Sequence, residues 1–463
     1  MALGKRKHEQ QELWVATHDL PRSPGHPFYK RLNELLSADG FDAWAEQLCA
    51  PYYHGTLGRP SIPPGTYFRM LLIGYYEGIG SQRGIAWRCS DSRSLAAFLG
   101  LGPTDDAHDH SSLTRVAQRL PREVHEAMFQ RVLAIAVGKG LVQGKAVGVD
   151  STTLEANAAM KSIVRRDTGE DWRQYVTGLM REAGVIEADE QPNEEEIRRF
   201  DSRRKDKKVS NDDWQSTTDP DARITKMKDG TTHLAYKAEH VVDLDSEFLL
   251  AVTVHEGDAA DNATLVDSVV EAQINLQTAG SETEIEEVAA DKGYHKADTL
   301  ELADSLDLRT YIPEPRRKHQ RRWTDKPDEL KRVVVNNRRR TQRDKSKRLQ
   351  RTRSELVERS FAHVCETGGA RRCWLRGSEK VTKRYLIQAA ARNLGLLMRK
   401  LFGMGTPRGL QAEGPNENRL AVFTQLITNA LSATWDPLHD RSASHDARPT
   451  GAALIADRFA LAA

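Results

Sequence analysis

The spacing of apolar residues changes character twice along the chain. From Pro27 to Cys49, the residues Phe28, Leu32, Leu35, Leu36, Phe41, Trp44 and Leu48 recur at helical intervals and predict short helices broken at Asp39-Gly40. Pro63-Pro64 starts a helix through Tyr67, Leu71, Leu72 and Tyr75, which Gly78 and Gly80 end. Further short helices are predicted at Gln82 to Cys89, Ser94 to Leu99 and Ser111 to Leu120, the last capped by Asp109. Pro121 then begins a longer one through Val124, Met128, Val132 and Ile135.

Beyond Gly140 the period shortens to two. Ala146 to Thr153 reads as a strand, with β-branched Val147 and Val149 on either side of Gly148, and Asp150 is expected at its C-terminal end. A polar segment follows, from about Met160 to Lys228, with one amphipathic piece at Trp172, Tyr175, Leu179 and Met180; it reads as a partly helical insertion. Leu234 to Val242 and Phe248 to His255 form a hairpin, and Asp261-Asn262 is expected to cap a helix through Leu265, Val266, Val269 and Val270. Ile285 to Ala290 is the next strand and is followed by Asp291. Then come a helix at Leu300 to Leu306, a short strand at Thr310 to Ile312 stopped by Pro313, and helices from about Ser346 through Val364 and from Lys383 to Leu401. This order of elements predicts an α/β core, a mixed sheet flanked by helices, behind an all-α N-terminal region.

Composition changes this picture in one respect. The net charge of +2 conceals segregation: Arg316 to Arg353 holds seventeen Lys or Arg against four acids, while Glu282 to Glu287 holds four acids in six residues. A basic stretch of that density is the electrostatic footprint of a polyanion, and Arg83, Arg88, Arg93, Arg115 and Arg119 add to it in the helical region. Four scattered cysteines show no zinc-type spacing and suggest a reducing compartment without disulfides, and no run of eighteen apolar residues suggests a membrane span. A soluble intracellular protein is the expectation. No Walker-type phosphate loop occurs, which argues against an ATP-driven motor.

The chemistry on offer is carboxylate chemistry. In open sheets, function collects at the carboxyl ends of neighbouring strands, where Asp150 and Asp291 are expected. Two carboxylates there repel one another unless a cation lies between them, and Mg2+ takes such oxygen ligands. A third acid would let the site hold two ions about 3.5–4 Å apart, flanking an in-line phosphoryl transfer. On the helix around Phe361, Glu358 lies at the edge of the face formed by Val357, Phe361 and Val364, and Glu355 competes with it. Two other groups have cheaper explanations: Asp109 between His108 and His110 as a helix cap, and His255, Asp258 and Asp261 as a turn followed by a cap.

Taken together, Gly58-Arg59-Pro60-Ser61, His110-Ser111-Ser112-Leu113-Thr114-Arg115, Val149-Asp150-Ser151-Thr152, Asp219-Pro220-Asp221-Ala222-Arg223, Ala290-Asp291-Lys292-Gly293-Tyr294 and Val357-Glu358-Arg359-Ser360-Phe361 resemble the DDE-type transposases of bacterial insertion sequences. They span roughly Pro51 to Leu401. The resemblance implies an RNase H-like catalytic domain at 141–402, with the insertion at about 160–228, behind a helical DNA-binding domain at 1–140. Beyond it, 403–463 reads as a loosely ordered tail with one helix near Val422 to Leu431. The resemblance also implies Asp150, Asp291 and Glu358 as catalytic and metal-holding residues, with two Mg2+ ions per site for which Mn2+ could substitute. Water would cleave a phosphodiester at the element's end, and the freed 3′-hydroxyl would attack target DNA. The implied partners are double-stranded DNA, as terminal inverted repeats and target, and a second copy of the chain on paired ends, in the cytoplasm at the nucleoid. Arg353 stands for the family's signature arginine. Gln350 occupies the tyrosine position and Cys365 the lysine position, both departures; Lys292, Tyr294, Arg353, Arg359 and Arg115 are the expected DNA contacts. The rival readings are a metal-dependent nuclease that never joins ends, and an inactive DNA-binding repressor.

Overall fold

The computed structural model describes residues 16, 23–55, 57–58, 60–205, 210–227, 230–316, 323–324 and 326–409. Arg59, part of the basic stretch, and the tail beyond residue 409 with its expected helix near Val422 to Leu431 lie outside the described residues.

Among the described residues seven α-helices come first: α1 (Pro27–Ala38), α2 (Phe41–Cys49), α3 (Pro64–Glu77), α4 (Gln82–Asp91), α5 (Arg93–Phe98), α6 (His110–Arg119) and α7 (Arg122–Gly138). The break between α1 and α2 is where the sequence puts it, because Gly40 adopts φ 68°, a left-handed conformation that side chains resist. Asp109 caps α6 as expected, its Oδ1 accepting from the Ser111 N–H at 2.8 Å. The chain continues through β1 (Ala146–Glu155), β2 (Ile163–Arg165), α8 (Trp172–Glu182), α9 (Glu194–Arg203), β3 (Trp214–Ser216), β4 (Arg223–Lys226), β5 (Thr232–Asp243), β6 (Leu249–Glu256) and α10 (Asp261–Thr278). The last elements among the described residues are β7 (Glu287–Ala289), α11 (Ala297–Ser305), β8 (Arg309–Tyr311), α12 (Asp328–Thr341), α13 (Asp344–Phe361) and α14 (Ser378–Phe402).

The main sheet runs β4-β5-β1-β7-β8, with β6 also paired to β5. β5 lies antiparallel to β1, β4 and β6, whereas β1, β7 and β8 are parallel. This is a mixed sheet with flanking helices, the arrangement of an RNase H-like core. The insertion carries the small β2-β3 ladder, the paired helices α8 and α9, and β4. Apolar residues from Phe28 in α1 to Met398 in α14 belong to one buried cluster that also includes the inward residues of the sheet.

Two expectations need correction, and one further helix was not foreseen. β1 does not stop at Asp150: β5 offers backbone partners from Asp243 back to Ala235, so Ser151, Thr152 and Thr153 continue the ladder to Glu155. Asp150 still marks an end, because β7 pairs only with Ala146, Val147 and Gly148. Asp261 does not cap α10 but is its first residue, after Ala260. Part of the basic stretch is the helix α12, which buries Leu330, Val333 and Val334. The Asn337 side chain of α12 both donates to and accepts from the Ile312 backbone, at 2.8 and 3.2 Å.

The motif Asp219-Pro220-Asp221 has an architectural role. Asp219 Oδ1 accepts from the N–H of Gly377 at 3.1 Å and Asp221 Oδ2 from that of Ser378 at 2.8 Å, so two carboxylates satisfy the positive N-terminus of the 25-residue α14.

Candidate active site

Successive residues of a strand point to opposite faces, so Asp150 and Ser151 belong to different surroundings. Asp150 faces α13. Its Oδ2 accepts from Arg353 Nη1 at 2.7 Å and its Oδ1 from the Ser151 N–H at 2.8 Å. Burial raises the Asp150 carboxyl above its usual range, the Arg353 guanidinium pulls it back, and the Asp291 charge pushes it up again. That last effect places Asp291 within electrostatic reach. Asp291 follows β7, and its Oδ1 accepts from the Gly293 N–H at 2.5 Å, capping a 3-10 turn over Lys292–Tyr294.

Helix α13 reaches this end of the sheet because nothing stands in its way at Gly148. A Cβ there would lie 2.9 Å from Arg353 Cγ and 2.7 Å from Leu244 Cδ2. Deeper in, Phe361 stacks on His240, the residue paired with Asp150 across the ladder, with ring centroids 4.0 Å apart. His240 is fully buried and burial holds it neutral. Ser360 Oγ donates to the Val357 carbonyl, so it accepts from His240 Nδ1 at 2.7 Å; Nε2 then accepts from the Tyr385 hydroxyl at 2.7 Å. Cys365 Sγ lies 3.9 Å from that hydroxyl. Cys365, at the family's lysine position, is thus a core residue, like the other three cysteines, all buried and unbridged.

Glu358 rides on the helix so fixed. It is exposed and accepts from Ser354 Oγ at 3.1 Å, while Glu355 is engaged by Arg359 at 2.5 Å. The structure brings Asp150 and Asp291 together but leaves Glu358 outside their hydrogen bonds. Among the described residues no three His, Cys, Asp or Glu are gathered closely enough to hold an ion. The gathered pair nonetheless fits a hard divalent cation, since both donors are carboxylate oxygens.

On the other face of β1 stands a second charged group. Ser151 Oγ donates to Asp261 Oδ1 at 2.9 Å, and Lys237 Nζ lies 2.6 Å from that same oxygen while donating to the Ala259 carbonyl at 3.0 Å. A Cβ on Gly293 would sit 2.9 Å from Asp291 Oδ1 and 3.0 Å from Asp261 Oδ2, so the two acids flank one glycine. Beside them Glu239, fully buried, accepts from Thr264 at 2.9 Å and from the Tyr294 hydroxyl at 2.7 Å. The clue to Lys237 and Glu239 was in the chain: two charges alternating inside the otherwise apolar run of β5.

The expected DNA contacts separate accordingly. Lys292 and Arg115 are exposed. Tyr294 is not available to DNA, because it is fully buried and spends its hydroxyl on Glu239. Arg353 is held by Asp150, and Arg359 by Glu247 and Glu355. His110 pairs with Asp109, His255 with Thr253, and Asp258 accepts from Asn211; none of the three lies in a metal cluster.

A family model described as a transposase domain (DUF772) matches residues 18–119, and one described as a transposase DDE domain matches residues 197–394. The chain is a DDE-type transposase with an N-terminal transposase domain. The DDE match contains Asp291 and Glu358 and begins after Asp150. No curated protein matches the chain.

Proposed function

We propose that this transposase binds the ends of an insertion sequence and catalyses DNA cleavage and strand transfer there, with Asp150, Asp291 and Glu358 as its catalytic carboxylates. The observation that carries the proposal is the pair Asp150 and Asp291, each two residues beyond the last paired residues, Gly148 and Ala289, of the parallel strands β1 and β7. Mg2+, two ions per site with Mn2+ as a substitute, would supply charge neutralisation to the phosphoryl oxygens and a more acidic attacking water or hydroxyl. Asp150 and Asp291 would hold the cation, with Glu358 on α13 as the third carboxylate. The N-terminal end of that helix exposes Arg343, Lys347, Arg348 and Arg351, cations that suit a DNA backbone. Arg115 on α6 and Lys292 offer further exposed charge. Two copies of the chain, each engaging one terminal repeat, would bring the ends together in the cytoplasm at the nucleoid; among the described residues no helix is long and apolar enough to cross a membrane.

The test is a strand-transfer assay. The full chain is incubated with Mg2+, a duplex containing the inverted repeat that flanks its gene, and a supercoiled target plasmid. Cleaved ends covalently joined to plasmid are the expected product. Cleavage without any joined product would convert the reading to a nuclease, and binding without cleavage to a repressor.

A further inference from the structure

Asp150 already has a cation. Arg353 Nη1 meets its Oδ2 at 2.7 Å, and the two side chains are only 11% and 30% exposed. The guanidinium is itself anchored: its Nε donates to Gln350 Oε1 at 3.2 Å, and Gln350 Nε2 donates to the carbonyls of Ala290 at 2.9 Å and Tyr311 at 2.5 Å. Ala290 precedes Asp291, so one chain of hydrogen bonds runs from the first aspartate to the residue beside the second. Gly148 provides the floor against which the Arg353 stem rests. A guanidinium held this way occupies lone pairs that an incoming divalent cation needs, and its charge repels that cation at close range. The exposed cations Lys347, Arg348 and Arg351 lie on the solvent side of the same helix, turned away from Arg353, so DNA held by them engages the element that carries Arg353.

We propose that Arg353 is the resident counter-cation of Asp150, a positioning residue that keeps the carboxylate occupied in the DNA-free protein and passes to a backbone phosphate when DNA binds. The inference rests on the reading of Asp150 as a cation ligand. It makes divalent-ion loading depend on DNA and gives Gln350 a definite task, the anchoring of Arg353 to the ends of β7 and β8.

Mn2+ binding to the full chain without DNA tests it, read by titration calorimetry and by the electron paramagnetic resonance signal of free Mn2+. Arg353→Gln is expected to bind Mn2+ roughly tenfold tighter than the unaltered protein, because a unit charge beside the ligand is gone. The gain in Mn2+ affinity that the unaltered protein shows on adding a short duplex shrinks in the variant. Arg353→Lys, which keeps the charge, stays near the unaltered affinity. Gln350→Met leaves both charges in place but frees the guanidinium, and tightens binding by a smaller factor; it carries the test if Arg353→Gln does not fold. Unchanged or weaker Mn2+ binding in the folded variants, or a Lys variant as tight as the Gln variant, would overturn the inference. Asp150→Asn separates the two possible failures. Loss of Mn2+ binding there, with no tightening in Arg353→Gln, removes this inference alone; unaltered Mn2+ binding in Asp150→Asn removes the reading of the site as well.

Discussion

The two faces of β1 present the same pairing of acid and base in different settings. Toward α13, Asp150 is bound by Arg353, a long side chain from a helix whose neighbouring turns are exposed and basic. Toward α10, Asp261 is bound by Lys237, which rises from the adjoining strand β5 and is almost completely buried. On the second face Glu239, Thr264 and Tyr294 close a network inside the core. Lys237 is enclosed by the core and held by the Ala259 carbonyl as well, whereas Arg353 belongs to a helix whose neighbouring turns are open to a polyanion. The α10 face therefore reads as a fixed support, and the α13 face as the one where charge can be exchanged with a ligand.

That contrast breaks most visibly in activity. Asp291→Asn and Glu358→Gln should each reduce Mg2+-dependent cleavage of an end-containing duplex roughly a thousandfold or more, the scale of losing a group that acts on the reacting phosphate. Asp261→Asn should stay within about tenfold of the unaltered rate, since it supports the site without holding the cation. Equal losses at Asp261 and Asp291 would erase the distinction between the faces.

His125 shows what burial, as the largest influence on a titrating group, does away from both faces. The Pro121 carbonyl can only accept, so His125 Nδ1 carries the proton it donates at 3.0 Å, and Nε2 faces the Tyr67 hydroxyl at 3.3 Å. Burial lowers its pKa to about 4. Between about pH 4 and the ordinary histidine value of about 6.5, the unfolded chain binds a proton that the folded chain refuses. Stability is therefore complete above that window and falls by roughly 3 kcal/mol as pH drops through it. His125→Phe should flatten this part of a urea-denaturation profile against pH; an unchanged slope would assign the acid sensitivity elsewhere.

Gly148→Ala sharpens the comparison on the α13 side. The added methyl meets Leu244 and the Arg353 stem, so about 2 kcal/mol of stability should be lost by overpacking, with cleavage reduced in parallel. Lys237→Met has the smallest effect, about 1 kcal/mol, because Asp261 is 37% exposed and water screens the unpaired charge. Chemical denaturation measures both; a larger loss at Lys237 than at Gly148 would reverse the ranking.

Much of this was legible in the chain, for local reasons. The breaks at Gly40 and Gly78, the cap at Asp109, the β5-β6 hairpin and the acid after β7 all follow from turn chemistry and from periods of 3.6 or 2. What was hidden depends on pairing between distant segments. Nothing near Asp150 announces that β5 will carry β1 to Glu155, and α12 is hidden within the basic stretch because its buried stripe is only four residues. Tyr294 sits in a motif that invites a surface role, yet its burial is decided by Glu239, fifty-five positions away. Gln350 looked like a missing tyrosine; its two backbone acceptors belong to β7's end and to β8.

The central claim is that Asp150 performs chemistry on DNA and is not needed for holding it. Binding and cleavage of one end-containing duplex, measured side by side for the unaltered protein and Asp150→Asn, address it directly. The account predicts affinity within a few fold and cleavage reduced roughly a thousandfold or more. Undiminished Mg2+-dependent cleavage by Asp150→Asn would contradict it.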